Sequence, residues 1–146
     1  MGEKMRNNKI LKFLKSLAIP LVGGLLIGVI SKTSNNDSFV PSFIFPIVWT
    51  VLYILMGISS YLVSENGGNL LIYYLQLIIN FLWPLVYFNL NLKFLALLLI
   101  IILIILVINM INYFKEYNVI AAKLQIPYLL WLVFASFLNI VSIIER

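Results

Sequence analysis

The side chains that could recognise a ligand in this sequence are aromatic rings and amides, and they recur at helical spacing in three apolar segments. Residues three, four or seven positions apart share one face of a helix. The three stripes comprise Phe45, Trp49 and Tyr53, then Gln76, Asn80, Trp83, Pro84 and Tyr87, and finally Tyr128, Trp131, Ala135 and Asn139. If these faces converge in one bundle, they line an uncharged aromatic pocket. Such a pocket holds a flat, largely apolar ligand by stacking and a few hydrogen bonds.

Several other kinds of chemistry are excluded by the residues that the sequence lacks. It has no cysteine and no histidine, which removes disulfides, thiolate catalysis, the commonest general base and the usual axial ligand of haem. No carboxylate pair, phosphate-binding loop or metal-ligand cluster is present either. We therefore predict no metal site, no required cofactor and no acid–base catalysis. Ion conduction and proton pumping are also disfavoured, because they generally need charged or histidine side chains within the membrane.

The composition predicts an integral membrane protein. The chain of 146 residues is 63% hydrophobic and only 10% charged, whereas a soluble domain carries roughly 25% charged residues. A membrane-spanning helix needs about 20 apolar residues. Five segments of that kind predict an all-α bundle of five transmembrane helices in a single domain, 1–146, and they cover residues 10–31, 44–64, 70–89, 94–114 and 119–144. The charged start before the first segment also fits a signal peptide, but no small-residue cleavage site follows it.

The basic residues predict the orientation of the chain in the membrane. Half of the ten lie before or in the first turns of the first apolar segment, namely Lys4, Arg6, Lys9, Lys12 and Lys15. Cytoplasmic loops are enriched in Lys and Arg, so we expect a cytoplasmic N-terminus and a C-terminus outside. The polar loop 31–40 then lies on the outer face, as a lid or as a plain connector. The basic residues do not form a groove of the kind that binds nucleic acid.

Two features of the sequence, a glycine pair and the amides of the membrane segments, each have two interpretations. Gly24 and Gly28 have the spacing that lets helices approach closely, which fits either packing within the bundle or a contact between two copies. The amides of the membrane segments, including Asn109 and Asn112, could simply hydrogen-bond to neighbouring helices rather than to a ligand.

Three blocks of the sequence together resemble the TspO/translocator protein family, also called the tryptophan-rich sensory proteins. Residues 40–63, VPSFIFPIVWTVLYILMGISSYLV, are similar to a family motif around a Val-Trp-Thr triplet and a Met-Gly pair. Residues 75–88, LQLIINFLWPLVYF, resemble the family's third helix, and residues 121–145, AAKLQIPYLLWLVFASFLNIVSIIE, its fifth. The blocks occur in the family's order.

The resemblance implies a five-helix membrane protein, often a homodimer, that binds porphyrins such as protoporphyrin IX. Carried over by position, Trp49 and Trp131 correspond to the tryptophans tied to porphyrin binding and breakdown. Pro84, Tyr87, Ala135 and Leu138 fall at pocket positions of the third and fifth helices. The chain departs from the family at Phe43, which replaces a motif tryptophan, and at Pro46-Ile47, which replaces Gly-Pro. Ile140 stands in place of the tyrosine of the sterol motif.

Three functions fit these observations. The first is a receptor, sensor or carrier that binds a tetrapyrrole or a similar lipophilic molecule. The second is an enzyme that degrades a porphyrin under light, with Trp49 or Trp131 as the electron-transfer partner. The third is a membrane subunit that regulates a partner and binds no small ligand.

Overall fold

The computed structural model describes residues 2–30 and 44–145, and the described residues are helices joined by short turns. Five segments are long and apolar enough to cross a membrane. The elements are α1 (Gly2–Ile30), α2 (Ile44–Glu65), α3 (Leu71–Pro84), α4 (Lys93–Tyr117), α5 (Val119–Leu124) and α6 (Ile126–Ile144), with a π-helical turn at Leu85–Asn89. The prediction of an all-α membrane bundle is confirmed. The loop 31–40 and Phe43 lie outside the described residues.

The five membrane crossings form a ring. Going round it, α1 packs on α2, α2 on α5, the α5–α6 crossing on α4, α4 on α3, and α3 on α1. The buried residues face the axis of the ring and form one continuous core, while each helix presents aliphatic side chains to its outside. The arrangement therefore turns the aromatic and amide stripes of α2, α3 and α6 toward one another.

The first helix is longer than the sequence predicts. It begins at Gly2 rather than at residue 10, and residues 3–11 are exposed. Lys12 Nζ lies 3.8 Å from Glu65 at the end of α2, so the preceding ten residues extend about 15 Å beyond that level. The extension is helical because residues such as Glu3, Lys4 and Met5 favour helix and no glycine or proline follows until Pro20.

The fifth crossing is broken into two helices, which the sequence prediction of a single span at 119–144 did not include. Pro127 has no N–H to donate to the carbonyl of Lys123, and a proline ring clashes with that carbonyl in a regular helix. Here the N–H of Gln125 donates to Ala122 O at 3.2 Å. The carbonyl of Ala121 accepts a bond from Ser59 Oγ of α2 at 2.8 Å. This hydrogen bond, made next to the break, joins the fifth crossing to the second.

A second proline changes the end of the third crossing. Pro84 is the last residue of α3, and the chain continues as the π-helical turn Leu85–Asn89, in which Leu90 N donates to Leu85 O at 3.0 Å. Such a turn commonly forms where a helix loses a regular hydrogen bond. Asn91 then ends the crossing with a φ of 55°, a conformation that asparagine tolerates better than most residues.

Helix α4 buries one side only. Its core face consists of residues at spacings of three and four, namely Ala96, Ile100, Leu103, Val107, Met110 and Phe114. Asn109 and Asn112 are exposed on the other side of the helix. Neither amide has a hydrogen-bond partner among the described residues.

Candidate ligand-binding site

Trp49 lies at the centre of an aromatic cluster formed by α2 and α6. Its ring stacks on Tyr53, with ring centroids 5.5 Å apart and planes 28° from parallel. It also meets Tyr128 edge to face at 6.3 Å and Trp131 at 6.4 Å. Aromatic pairs in these offset and edge-to-face arrangements stabilise each other beyond the area that they bury. The cluster fixes the position of Trp49 between the core tyrosines and Trp131.

A hydrogen-bond network lies behind this cluster and joins three crossings. Tyr53 Oη donates to Asn80 Oδ1 at 2.7 Å, and Asn80 Nδ2 donates to Tyr128 Oη at 2.8 Å. Tyr128 Oη in turn donates to Gln76 Oε1 at 2.6 Å. All four side chains are buried. Burying a polar group in the membrane interior costs free energy unless it is hydrogen-bonded. The network therefore fixes the positions of the Tyr53 and Tyr128 rings relative to α3.

Some buried polar atoms of the core have no protein partner among the described residues. These atoms are Gln76 Nε2 and both amide atoms of Gln125, which lies at the break between α5 and α6. Buried polar groups that lack a protein partner are usually hydrogen-bonded to ordered water or to a ligand. The core next to Tyr128 can therefore hydrogen-bond a polar group that enters it.

An apolar groove of about 500 Å³ opens between α2 and α6. Its wall is made of eight apolar residues, namely Ile47, Val48, Val51, Leu52, Pro127, Leu130, Trp131 and Phe134. Trp131 links the groove to the aromatic cluster, because it lines the first and touches Trp49 in the second. The groove has the volume and apolar lining of a small-molecule site, and its lining has no charged side chain.

A second aromatic cluster lies at the other end of α3, where it meets α4 and α6. Trp83 stacks on Tyr87 with ring centroids 5.0 Å apart, and its Nε1 donates to Asn139 Oδ1 at 3.0 Å. Asn139 Nδ2 donates to the carbonyl of Lys93 at 2.9 Å, and Lys93 Nζ lies 3.5 Å from the centre of the Tyr87 ring. The Trp83 indole and the Asn139 amide are thus hydrogen-bonded to each other. The Lys93 ammonium group lies over the face of the Tyr87 ring, in a cation–π contact.

The predicted site residues fall into three groups in the structure. Trp49, Tyr53, Gln76, Asn80, Tyr128 and Trp131 come together in the cluster and its network. Trp83 and Tyr87 belong to the second cluster and Pro84 shapes the turn beside it. Ala135 is buried in the core and Leu138 is half-buried, and neither lines the groove. The side chain of Phe45 lies outside the described part of the chain.

Sequence reasoning missed most of the groove. Apart from Trp131, its lining residues are aliphatic or are Pro127 and Phe134, and side chains of these types occur throughout every membrane segment. Pro127 gave the one available signal, because a proline near the start of an apolar run indicates a helix break.

The central cluster offers indole and phenol rings for stacking, and amide and hydroxyl groups for hydrogen bonds. Among the residues that the structure describes, no three acidic side chains come together as ligands for a metal ion, and the sequence contains no histidine or cysteine.

Comparison with known proteins places this chain in a family. Residues 16–144 match the model of the TspO/MBR family. The chain is 39% identical over 104 residues to the tryptophan-rich protein TspO of Archaeoglobus fulgidus, covering 68% of this chain and 67% of that protein. It is 32% identical over 102 residues to the tryptophan-rich sensory protein of Cereibacter sphaeroides, covering 68% and 65%. The human translocator protein is 33% identical over 107 residues, with 68% and 63% covered. The match thus spans about two thirds of each relative.

Proposed function

The chain belongs to the TspO/MBR family, and on that premise we propose that it is a membrane receptor, sensor or carrier for a porphyrin or a similar flat lipophilic ligand. The ligand lies in the groove between α2 and α6 with one face against Trp131. Trp49 supports Trp131 from behind, and the network around Asn80 keeps both indoles in place.

The observation that carries this proposal is the position of Trp131 between an open apolar groove and a buried aromatic cluster. An indole at the wall of a groove offers a flat surface for stacking, and the aliphatic residues around it exclude lipid and water from the bound ring. A groove that opens on the outside of the helix ring also lets a lipophilic molecule enter from the bilayer.

The ligand is a metal-free porphyrin rather than an axially ligated haem. The sequence has no histidine or cysteine to supply the common axial ligands. Protoporphyrin IX is therefore the appropriate probe, because its binding needs no axial ligand.

The basic residues support an orientation with the N-terminus in the cytoplasm. Lys4, Arg6 and Lys9 lie on the exposed start of α1. Lys115 and Lys123 lie near the turn at Asn118, which the up-and-down course of the helices brings to the same end of the bundle. At the opposite end, Lys93 is the one basic side chain of the described residues. Under the positive-inside rule, the end of the bundle that carries Lys93 faces outward.

The test is a dark titration of the purified protein with protoporphyrin IX, followed by the shift of the porphyrin's own absorption band. This readout does not depend on how many tryptophans remain. We expect saturable binding by the native protein and a loss of affinity of about tenfold in Trp131→Ala, because the stacking surface is removed. Trp131→Phe keeps part of that surface and gives an intermediate affinity.

The matched control is Trp83→Phe, which also removes one indole but lies in the second cluster. It leaves porphyrin affinity unchanged. Unchanged affinity in Trp131→Ala would overturn the site. Absence of saturable binding by the native protein would overturn the function and favour a regulatory subunit that binds no small ligand.

A second candidate, light-dependent degradation of the porphyrin, is favoured by the unbroken contact from Trp131 through Trp49 to Tyr53. The light-excited porphyrin would take an electron from Trp131 and pass it to dioxygen, giving superoxide and an oxidised indole. The oxidised indole would regain an electron from the porphyrin, and superoxide would add to the oxidised ring, so that dioxygen is the oxidant and the indole is restored. The titrated sample is then illuminated in air. A new absorption band that is lost in Trp131→Phe supports the enzyme, and an unchanged spectrum supports a binder or carrier.

A further inference from the structure

The first helix is long enough to cross the membrane together with its headgroup layers. Helix α1, Gly2–Ile30, is about 43 Å long, whereas the hydrocarbon core is about 30 Å thick and the whole bilayer about 40–45 Å. Asn89 Nδ2 donates to the carbonyl of Ile30 at 3.0 Å, so this end of α1 lies level with the end of the third crossing. A span of about 20 residues back from Ile30 reaches Leu11. Residues 2–10 therefore lie in the opposite headgroup layer and beyond it.

This start of α1 extends past the end of α2. Lys12 and Phe13 attach the helix to α2, the first through Glu65 at 3.8 Å and the second through edge-to-face contact with the ring of Tyr61. Residues 3–11 are exposed. Lipid headgroups and water thus surround this segment.

Three basic side chains of the segment have no acidic partner. Lys4, Arg6 and Lys9 form no ion pair within the described part of the chain, and Glu3 is the one acidic residue that precedes Lys12 in the sequence. At 3.6 residues per turn, Arg6 lies about 160° around the helix from Lys4 and about 60° from Lys9. The charges are therefore spread around the helix. A protein partner would contact one side of it, whereas headgroups contact every side.

We propose that Lys4, Arg6 and Lys9 bind the phosphate groups of anionic phospholipids in the leaflet where α1 begins. At 1.5 Å per residue, Lys9 and Arg6 lie about 3 and 7.5 Å beyond the hydrocarbon boundary at Leu11, within a headgroup layer roughly 5–8 Å deep. Lys4 lies about 10.5 Å beyond that boundary, and its long side chain reaches back toward the layer. Basic residues are attracted to a negatively charged bilayer surface, and arginine binds phosphate through two parallel hydrogen bonds.

The site selects anionic over zwitterionic lipids, because the amine of a zwitterionic headgroup repels the same basic side chains. Such binding would hold a helix that has little other attachment. Among the residues of α1 whose burial is described, only Pro20 is buried. This inference is independent of the porphyrin proposal, because α1 does not line the groove.

The test compares phosphatidylglycerol with phosphatidylcholine of the same acyl chains. Each lipid is titrated into the full-length protein in detergent, and the bound lipids are counted by native mass spectrometry. We expect the native protein to bind phosphatidylglycerol about tenfold more tightly than phosphatidylcholine. The triple variant Lys4→Gln, Arg6→Gln and Lys9→Gln loses most of that preference.

The matched control is a second triple variant, Lys93→Gln, Lys115→Gln and Lys123→Gln, which removes the same number of charges from other helices and keeps the preference. A far-UV spectrum and a melting curve confirm that both variants are folded. Three results would overturn the site: no preference in the native protein, an unchanged preference in the first triple variant, or an equal loss in the control.

A second measurement tests the depth of the segment. The sequence has no cysteine, so Met5→Cys and Val22→Cys, both at exposed positions of α1, each carry a single fluorescent label in vesicles that contain phosphatidylglycerol. We expect a quencher on the lipid headgroup to act more strongly on the label at Met5→Cys, and a quencher on the acyl chain to act more strongly on the label at Val22→Cys. A label at Met5→Cys that neither quencher reaches would place the segment in water and contradict headgroup binding.

Discussion

The hydroxyl of Tyr128 accepts a hydrogen bond from Asn80 Nδ2 at 2.8 Å, which joins the fifth membrane crossing to the third beneath the indole of Trp49. The same hydroxyl donates to Gln76. One oxygen therefore serves as both acceptor and donor in the interior of the bundle, and the position of the aromatic cluster depends on it.

Tyr128→Phe keeps the ring and removes that hydroxyl. It leaves Asn80 and Gln76 each short of one bond, and we expect a loss of about 1–3 kcal/mol in the free energy of unfolding. Thermal unfolding in detergent measures the change. The matched control is Tyr74→Phe, which removes a hydroxyl from a side chain that is 39% exposed on α3. Equal melting temperatures for the two variants would show that the network does not stabilise the bundle.

Gly24→Ala and Gly28→Ala form a second matched pair on one helix. A methyl group on Gly24 would overlap the ring of Tyr53, which is buried and hydrogen-bonded, so α1 must move away from α2. A methyl group on Gly28 meets open space and improves helix propensity by up to about 1 kcal/mol. We expect Gly24→Ala to lower the melting temperature and to weaken porphyrin binding, and Gly28→Ala to do neither. Similar behaviour of the two variants would contradict the assigned packing.

Asn139→Leu tests whether the second aromatic cluster is structural. The substitution removes the partner of Trp83 Nε1 and of the Lys93 carbonyl, so stability falls by about 1–2 kcal/mol. Porphyrin affinity, read from the ligand's absorption band, stays within about twofold because the cluster is separate from the groove. Ser136→Ala on the same helix, where the hydroxyl bonds only to the backbone of Val133, is the control. A large loss of affinity in Asn139→Leu would place Trp83 and Tyr87 in the binding site.

The orientation can be read from labelling of single cysteines with a membrane-impermeant maleimide in intact cells. Lys4→Cys lies on the exposed start of α1, and Leu90→Cys lies in the exposed turn between α3 and α4. A cytoplasmic N-terminus predicts that Leu90→Cys is labelled from outside and that Lys4→Cys is labelled only after the cells are opened. The reverse labelling pattern would show that the protein has the opposite orientation in the membrane.

The amino-acid sequence by itself determined the class of the protein and the number of its crossings. Hydropathy over about 20 residues is a local property, so five spans and their approximate bounds follow directly from it. The family was also readable from three motif blocks, and it is confirmed by the match over residues 16–144. Helical spacing correctly grouped Trp49 with Tyr53 and Gln76 with Asn80 on shared faces, because residues four apart lie one above the other.

Only the tertiary structure decided which stripes meet. Gln76, Asn80, Trp83 and Tyr87 follow one spacing rule, yet the first two bond to Tyr128 and the last two belong to a separate cluster with Asn139 and Lys93. The two pairs lie at different levels along the third crossing, and the packing of the fifth crossing against it decides that one level meets Tyr128 and the other meets Asn139.

The sequence also did not predict that Asn109 lies on the outer side of α4. An apolar helix such as α4 has aliphatic side chains all around it, so hydropathy does not say which side faces the core. Packing against α3 and α6 made that choice and left both of its amides outside. The groove beside Trp131 is also a result of helix packing. Helix α2 packs against α5 but not along α6, and the groove is the gap between α2 and α6.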